Sequence, residues 1–317
     1  MRILVTGATG FVGGHLVPAL VRDHHEVIAA TRSLGTAPQG SSEVVVGDIG
    51  ASTEWTHALE GVEAVVHLAA RVHVLNERST DPLHAYRAVN TDGTVRLARA
   101  AVGAGVRRFV FLSTIKVNGE ATQGVPFHRH SAPVPLDPYG HSKLEAEAKL
   151  RELAESEDMD VISLRPTVVY GAGVGGNVRR IARAVQRGAP LPLGAIKNRR
   201  TMLAIDNLLT AIKAALTIDP VPSDAILLGD QEPVSTRQLV RYLAEGMGRP
   251  ARLVPVPVSA LIAGGAALGK RREIQRLVQD LEVDGDWDAL GVSPEVLVTP
   301  RTALVALGRD LALGGAG

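Results

Sequence analysis

One turn constrains this chain more than any other feature. Thr6-Gly7-Ala8-Thr9-Gly10-Phe11-Val12-Gly13 comes directly after a short apolar run and opens a segment of helical spacing. Gly7, Gly10 and Gly13 permit a tight turn, close backbone approach to a pyrophosphate, and strand–helix packing with no Cβ in between. The helix start then offers free N–H groups to the phosphates. The expectation is a dinucleotide held by Gly7, Thr9, Gly10, Phe11, Val12 and Gly13.

The chain beyond the turn agrees with it. Apolar, strand-length runs recur at 2–6, 26–30, 43–47, 63–69 and 107–113, with helical segments at 11–22, 53–60 and 82–103. Continuous rather than alternating apolar strands signal a parallel sheet covered on both faces. Asp137-Pro138 opens a further helix to about Ser156, with Asp137 as N-cap and Pro138 in the first helical position. A strand comes next, at 160–165. Beyond 171 come glycine-rich loops, helices at 177–187, 206–217 and 235–247, and a short strand at 225–229. The fold expected is α/β: a doubly wound parallel sheet over 1–170 carrying the catalytic residues. A smaller, mainly substrate-binding lobe over 171–317 would sit at the carboxyl ends of the strands, with some segments returning to the sheet.

Composition removes other classes. Among 317 residues, 34 Lys and Arg face 33 Asp and Glu, a net +1, and aromatics are 3%. Neither a basic field nor a stacking platform exists, so nucleic acid is not an expected partner. No cysteine is present, which excludes disulfides, thiolate catalysis and cysteine metal sites and fits a reducing cytoplasm. The opening residues run straight into a strand, so no secretory leader is expected. The uncharged stretch from Leu253 to Gly269 is too broken by proline and glycine to span a membrane, and is read as a buried loop and helix.

The end of the second strand decides the dinucleotide. A carboxylate there would bind the ribose 2′-OH, and a cation would accept a 2′-phosphate. Val27-Ile28-Ala29-Ala30-Thr31-Arg32-Ser33 holds no carboxylate. Arg32, with Thr31 and Ser33 as donors, favours NADP(H); NAD(H) remains possible if Arg32 is merely exposed beside a mobile loop, Gly35 to Ser42.

Tyr139 and Lys143 lie four apart just inside the helix begun at Asp137, on one face. An ordinary phenol, pKa ~10, is a poor base at neutral pH. A neighbouring ammonium would lower that value and allow proton exchange while a hydride moves on carbon. The strand Phe109-Val110-Phe111-Leu112-Ser113-Thr114 brings a hydroxyl toward the same place.

These motifs, together with Gly47-Asp48, His67-Leu68-Ala69-Ala70, Asn90, Leu164-Arg165-Pro166 and Val169-Tyr170-Gly171, resemble the extended short-chain dehydrogenase/reductases in their sugar-nucleotide epimerase/dehydratase/reductase branch. Leu281-Glu282-Val283-Asp284 and Leu290-Gly291 resemble that branch's usual ending. The resemblance covers nearly the whole chain and implies a Rossmann fold with roles at matching positions. Asp48 and Ile49 would contact adenine; Leu68, Ala69, Ala70 and Pro166 would line the cofactor. Asn90 would brace the active-site strands. Thr114, Tyr139 and Lys143 would be catalytic, Thr114 being favoured over Ser113 by counting back from Gly119, and Tyr139 and Lys143 would also touch the cofactor. Asn177 and Arg200, with Arg199 as rival, would hold a substrate diphosphate beside Thr114. A homodimer through helices 87–101 and 139–153 is implied as well.

Asn118 stands where many epimerases carry tyrosine, and the acid near Thr31 is missing. With Arg71-Val72-His73-Val74 and Arg271-Arg272-Glu273, the pattern most resembles UDP-4-keto-6-deoxy-N-acetylhexosamine reductases, often labelled UDP-glucose 4-epimerase-like. The resemblance thus implies NADP(H)-dependent reduction of a 4-keto sugar nucleotide. An NAD-dependent UDP-sugar 4-epimerase and a non-catalytic dinucleotide binder are the alternatives. No metal is expected: His128 and His130 sit close but lack carboxylates, His67 reads as cofactor wall, and the alternating acids Asp280, Glu282, Asp284, Asp286 and Asp288 lack calcium-loop spacing and read as a solvated turn.

Overall fold

Strands whose residues are apolar on both sides must be covered on both sides, and the computed structural model, which describes residues 1–72 and 81–314, is built around that requirement. In its first half lie β1 (Arg2–Thr6), α1 (Phe11–Arg22), β2 (Glu26–Thr31), β3 (Ser42–Val45), β4 (Ala64–His67), α2 (Pro82–Arg87), α3 (Thr94–Gly103), β5 (Arg108–Leu112), α4 (Pro138–Ser156) and β6 (Asp160–Pro166). The second half adds β7 (Val168–Tyr170), α5 (Gly176–Gln186), β8 (Met202–Ala204), α6 (Ile205–Thr217), β9 (Ile226–Leu228), α7 (Thr236–Gly246), α8 (Val258–Ala267), α9 (Arg271–Val278) and α10 (Pro300–Gly314). Seven strands form one sheet in the order β3-β2-β1-β4-β5-β6-β9, every neighbouring pair parallel. β7 and β8 make a separate parallel pair.

The pleat sorts alternate residues to opposite faces. Ile3, Val5 and Val66 face Leu16 and Leu20 of α1 and Leu208 and Ile212 of α6. Leu4, Ile28, Val65, Phe109 and Phe111 face Leu97 of α3, Ala146 and Leu150 of α4, and Trp55. Each such leucine or isoleucine contributes roughly 1.5–3 kcal/mol on leaving water. A further core joins α5, α7, α10 and β8 at the carboxyl end of the sheet. The chain then returns: β9 extends the large sheet beside β6, and Trp287, Leu290 and Leu297 join the α1–α6 face.

The structure corrects four sequence expectations. The helix read at 53–60 is a single 3-10 turn, His57–Leu59, which buries Ala58 and Leu59 and ends before Gly61 at φ +67°. The helix read at 82–103 is broken by a π segment, Ala88–Gly93. Its polar residues bond outside the helix: Asn90 Oδ1 accepts from Arg71 N (2.8 Å), Asn90 Nδ2 donates to Ser142 Oγ (3.0 Å), and Thr91 Oγ1 donates to Ser142 O (2.9 Å). The stretch at 253–269 is not buried. In α8 only Gly265 is, because it packs on Ile274 of α9, and most of its neighbours are exposed or half-buried. Among the described residues no helix is long and apolar enough to cross a membrane. The acids from Asp280 to Asp288 are only partly a solvated turn: Asp284 and Asp288 are exposed, but Asp280 accepts from Arg199 N (2.7 Å), and Asp286 accepts from Leu227 N (3.1 Å) and pairs with Arg129 (3.4 Å).

Candidate active site

The glycine turn is closed by its own backbone. Gly7 sits at φ +68°, and a Cβ there would lie 2.7 Å from Ala69 N. A Cβ on Gly13 would lie 2.3 Å from Gly7 O and 2.6 Å from Ala8 Cα. Neither position admits a side chain. Gly10 caps α1 without a side chain, and the first turn of α1 carries no acid, so its amides face outward for an anion. Thr9 and Gly10 are exposed, and Phe11 and Val12 half-buried.

A chain of hydrogen bonds runs from this turn to the π segment. Ala69 N donates to Thr6 Oγ1 (3.3 Å), which meets His67 Nδ1 at 2.6 Å; His67 Nε2 meets Thr94 Oγ1 at 2.9 Å, and Thr94 Oγ1 donates to Asn90 O (2.7 Å). That last bond leaves Thr94 as acceptor for an Nε2–H, which assigns the proton of His67 to Nε2. Burial, and then the charge of Lys143, pushes His67 down to about 3, so it is neutral. His67 is therefore a fully buried brace between β1, β4 and α3 rather than a wall open to cofactor.

Asp137 begins α4 as expected, its Oδ1 accepting from Gly140 N (2.7 Å), with Pro138 in the first turn. The helix crosses the carboxyl end of β5. Lys143, 1% exposed, donates from Nζ to Leu112 O (2.8 Å) and lies 4.3 Å over the Phe111 ring. One turn on, Glu147 accepts from the hydroxyl of Ser113. Two successive residues of the strand end are thus gripped by two successive turns of α4. Thr114 comes next, half-buried, its Oγ1 accepting from Lys116 N (3.3 Å). Ser113 is committed to Glu147, so the next hydroxyl in line is that of Thr114.

Tyr139 is half-buried, its ring 6.1 Å from that of Tyr86 and 6.0 Å from Lys116 Nζ. The expected lowering of its phenol by Lys143 is reversed in this arrangement. Burial pushes the phenol up, with the charge of Asp137 and then Tyr86 adding to it. Burial also pushes Lys143 down to about 7, with only Glu147 acting against it, and its ammonium is turned to Leu112 and Phe111.

The network beneath these groups joins Arg165 and Asn118, both noted in the sequence, through Glu147, which was not. Arg165 donates to Glu147 twice, from Nε (3.0 Å) and Nη2 (2.5 Å), and from Nη1 to Asn118 Oδ1 (3.1 Å); Asn118 Nδ2 donates to Ser131 O (3.1 Å). All three of Arg165, Glu147 and Asn118 are buried. The available signal was helical spacing: Tyr139, Lys143 and Glu147 fall one turn apart on one face. Lys116 is a second missed residue, paired with Asp137 and with Glu120 (3.1 Å), which in turn meets Arg276 (3.3 Å).

In the lobe, Arg200 donates from Nη1 to Gln279 O (3.1 Å), and burial followed by the charge of Arg276 pushes it down to about 10. Arg199 turns the other way and pairs with Glu282 (2.7 Å). Asn177 lies half-buried in the first turn of α5. Leu68, Ala69 and Ala70 come after β4 half-buried, Pro166 ends β6 buried, Asp48 is exposed after β3, and Ile49 packs on Gly93. Arg32 is exposed just past β2, whereas the hydroxyl of Thr31 donates to Glu43 Oε1 (2.9 Å). The loop from Gly35 to Ser42, expected to be mobile, is tied at its start to the same carboxylate. His128 and His130 have ring centres 6.3 Å apart, and among the described residues no three metal-ligating side chains cluster. His73 and Val74 lie outside the described residues.

Comparison with known proteins agrees with this fold. Residues 3–229 match the NAD dependent epimerase/dehydratase family. A UDP-glucose 4-epimerase of Vibrio cholerae is 42% identical over 285 residues, 89% of this chain and 87% of that protein. The structure of MoeE5 in complex with UDP-glucose and NAD is 27% identical and superposes with a TM-score of 0.79 over all of both chains. UDP-glucose 4-epimerase from Thermotoga maritima, solved with UDP-glucose, shares the fold at a TM-score of 0.76, covering 99% of each chain at 22% identity. The chain belongs to the NAD dependent epimerase/dehydratase family, within the extended short-chain dehydrogenase/reductases.

Proposed function

We infer that the protein interconverts alcohol and ketone at C4 of a UDP-sugar and returns the hydride to the same carbon, acting as a 4-epimerase. The observation that carries this is the grip of α4 on the end of β5: Lys143 and Glu147 hold Leu112 and Ser113, which delivers Thr114 beside the turn that presents Tyr139. The similarity to a UDP-glucose 4-epimerase over 89% of the chain supports the choice of reaction.

The glycine turn fits a dinucleotide, since Gly7 and Gly13 keep clear the space that a Cβ would fill. Gly7, Gly10 and the first turn of α1 would hold its diphosphate, with Leu68, Ala69 and Ala70 along its side. The bound nicotinamide supplies hydride acceptance and donation. Tyr139 takes the proton from the C4 hydroxyl as ketone forms and gives it back afterwards. Thr114 donates a hydrogen bond to that oxygen and holds it against Tyr139. Tyr139 enters the first step as phenolate and leaves it as phenol; Lys143, as a cation, would stabilise the phenolate, which the return of the proton restores. Arg200, with Arg276 near it, would hold the substrate diphosphate, and Asn177 would bond beside it.

A second reading, NADP(H)-dependent reduction of a 4-keto sugar nucleotide, is favoured by one feature: the exposed cation of Arg32 at the end of β2. One assay separates the two. The epimerase interconverts UDP-glucose and UDP-galactose with no added cofactor and is isolated with NAD. Protein free of NAD that consumes NADPH stoichiometrically with a 4-keto-6-deoxy UDP-sugar would establish the second reading instead.

A further inference from the structure

The carboxylate that sequence inspection misses at the end of β2 comes from the neighbouring strand. Glu43 of β3 lies beside Ala29 of β2 and reaches across the sheet edge. Five donors converge on it: Thr31 Oγ1 (2.9 Å), Thr36 Oγ1 (3.4 Å) and the backbone amides of Thr36 (3.0 Å) and Ala37 (3.0 Å) on Oε1, and the amide of Gly35 (2.6 Å) on Oε2. The bond from Gly35, the strongest of these, helps hold the carboxyl below its ordinary range. The loop after β2 is therefore wrapped around an anion that the chain itself supplies.

This is the place where the adenosine ribose of a bound dinucleotide meets the sheet. A 2′-phosphate needs donors from that loop. Here the hydroxyl of Thr31 and three consecutive amides are already spent on Glu43. A phosphate would also arrive beside a fixed like charge. The opposing feature is Arg32, whose guanidinium is exposed and makes no hydrogen bond or ion pair with a described residue. A long, exposed side chain must be ordered before it can bind, while the carboxylate is held by five hydrogen bonds. The fixed anion outweighs the mobile cation.

We propose that Glu43 is the specificity-determining residue of the cofactor site, excluding a 2′-phosphate and selecting NAD(H) over NADP(H). The proposal rests on the dinucleotide reading of the glycine turn and not on the identity of the sugar. The test is to titrate the purified enzyme with NADH and NADPH side by side, monitoring nicotinamide fluorescence. Wild type binds NADH at least about tenfold more tightly, and Glu43→Gln shifts the ratio by about tenfold toward NADPH while the NADH constant stays within about twofold. Glutamine keeps Oε1 as acceptor for Thr31, Thr36 and Ala37 and gives up the bond from Gly35, so most of the loop's tether remains. Adding Arg32→Ala to that variant then weakens NADPH alone.

Wild type binding NADPH as tightly as NADH overturns the proposal without any variant. So does Glu43→Gln weakening both nucleotides equally, which would make Glu43 a loop tether only. Binding of neither nucleotide by wild type would be a different failure, of the dinucleotide site itself, and would remove the proposal with it.

Discussion

Lys143 is buried where an ammonium is costly, and its pKa falls to about 7 from 10.5. The unfolded chain holds this proton more tightly, so its cost to stability is fully present below about 7, fades as pH rises toward 10.5, and is gone above it. Lys143→Met should flatten this rise. Its melting temperature near pH 7 is expected a few degrees above wild type, with less gain on going to pH 10. Equal slopes for both proteins in melts across that range would show that the ammonium is not penalised. Tyr139→Phe removes the proton carrier but little packing, so the expected outcome is a 10²–10⁴-fold fall in turnover with near-native melting. The sequence made Tyr139 and Lys143 legible because helical spacing puts residues four apart on one face. It hid Glu43, whose partners Thr31, Gly35, Thr36 and Ala37 are set by strand pairing and loop closure that no local pattern encodes.

At the scale of elements, α4 is a lever whose grip on β5 and β6 depends on one buried ion pair. Removing one charge of a buried pair leaves the other without compensation and costs about 3–5 kcal/mol. Glu147→Gln should show that loss as a lowered urea midpoint. An unchanged midpoint would contradict the assignment. A similar hub joins β8 to α6, where Asp230 accepts from Ala204 N (2.9 Å), Asn207 Nδ2 (2.8 Å) and Tyr170 (2.8 Å). Elements with a clear local signal were readable: β1, β2, β4 and β5 lie on their continuous apolar runs, α1 follows the glycine turn, and α4 follows Asp137-Pro138. The π segment at Ala88–Gly93 was not, since Asn90 and Thr91 abandon helical spacing to reach Arg71 and Ser142, partners far away in sequence. Exposure of α8 was unreadable for a related reason, because an uncharged decapeptide with no polar face gives no sign of which neighbour covers it.

Across the whole molecule, α3 and α4 flank a groove on the face where the sequence resemblance implies self-association. It encloses a cavity of about 230 Å³ lined by Val95, Arg99, Leu150 and Leu153, among others. Arg87 and Glu145 lock α2 to α4 nearby through two close contacts, 2.5 and 2.8 Å. We propose a homodimer through this face, and Leu153→Asp should convert it to monomer in sedimentation; a wild-type monomer would refute it. On the function proposed above, Tyr139, backed by Lys143 and Thr114, would move a proton at C4, and the nicotinamide would supply the hydride chemistry when bound. Reduced-nicotinamide absorbance, read in a single turnover after UDP-glucose is mixed with the enzyme as isolated, reports on that proton transfer and hydride transfer together. The expected result is a transient signal in wild type, slowed by roughly 10²–10⁴-fold in Tyr139→Phe. A transient of equal rate in both proteins would contradict the role given to Tyr139.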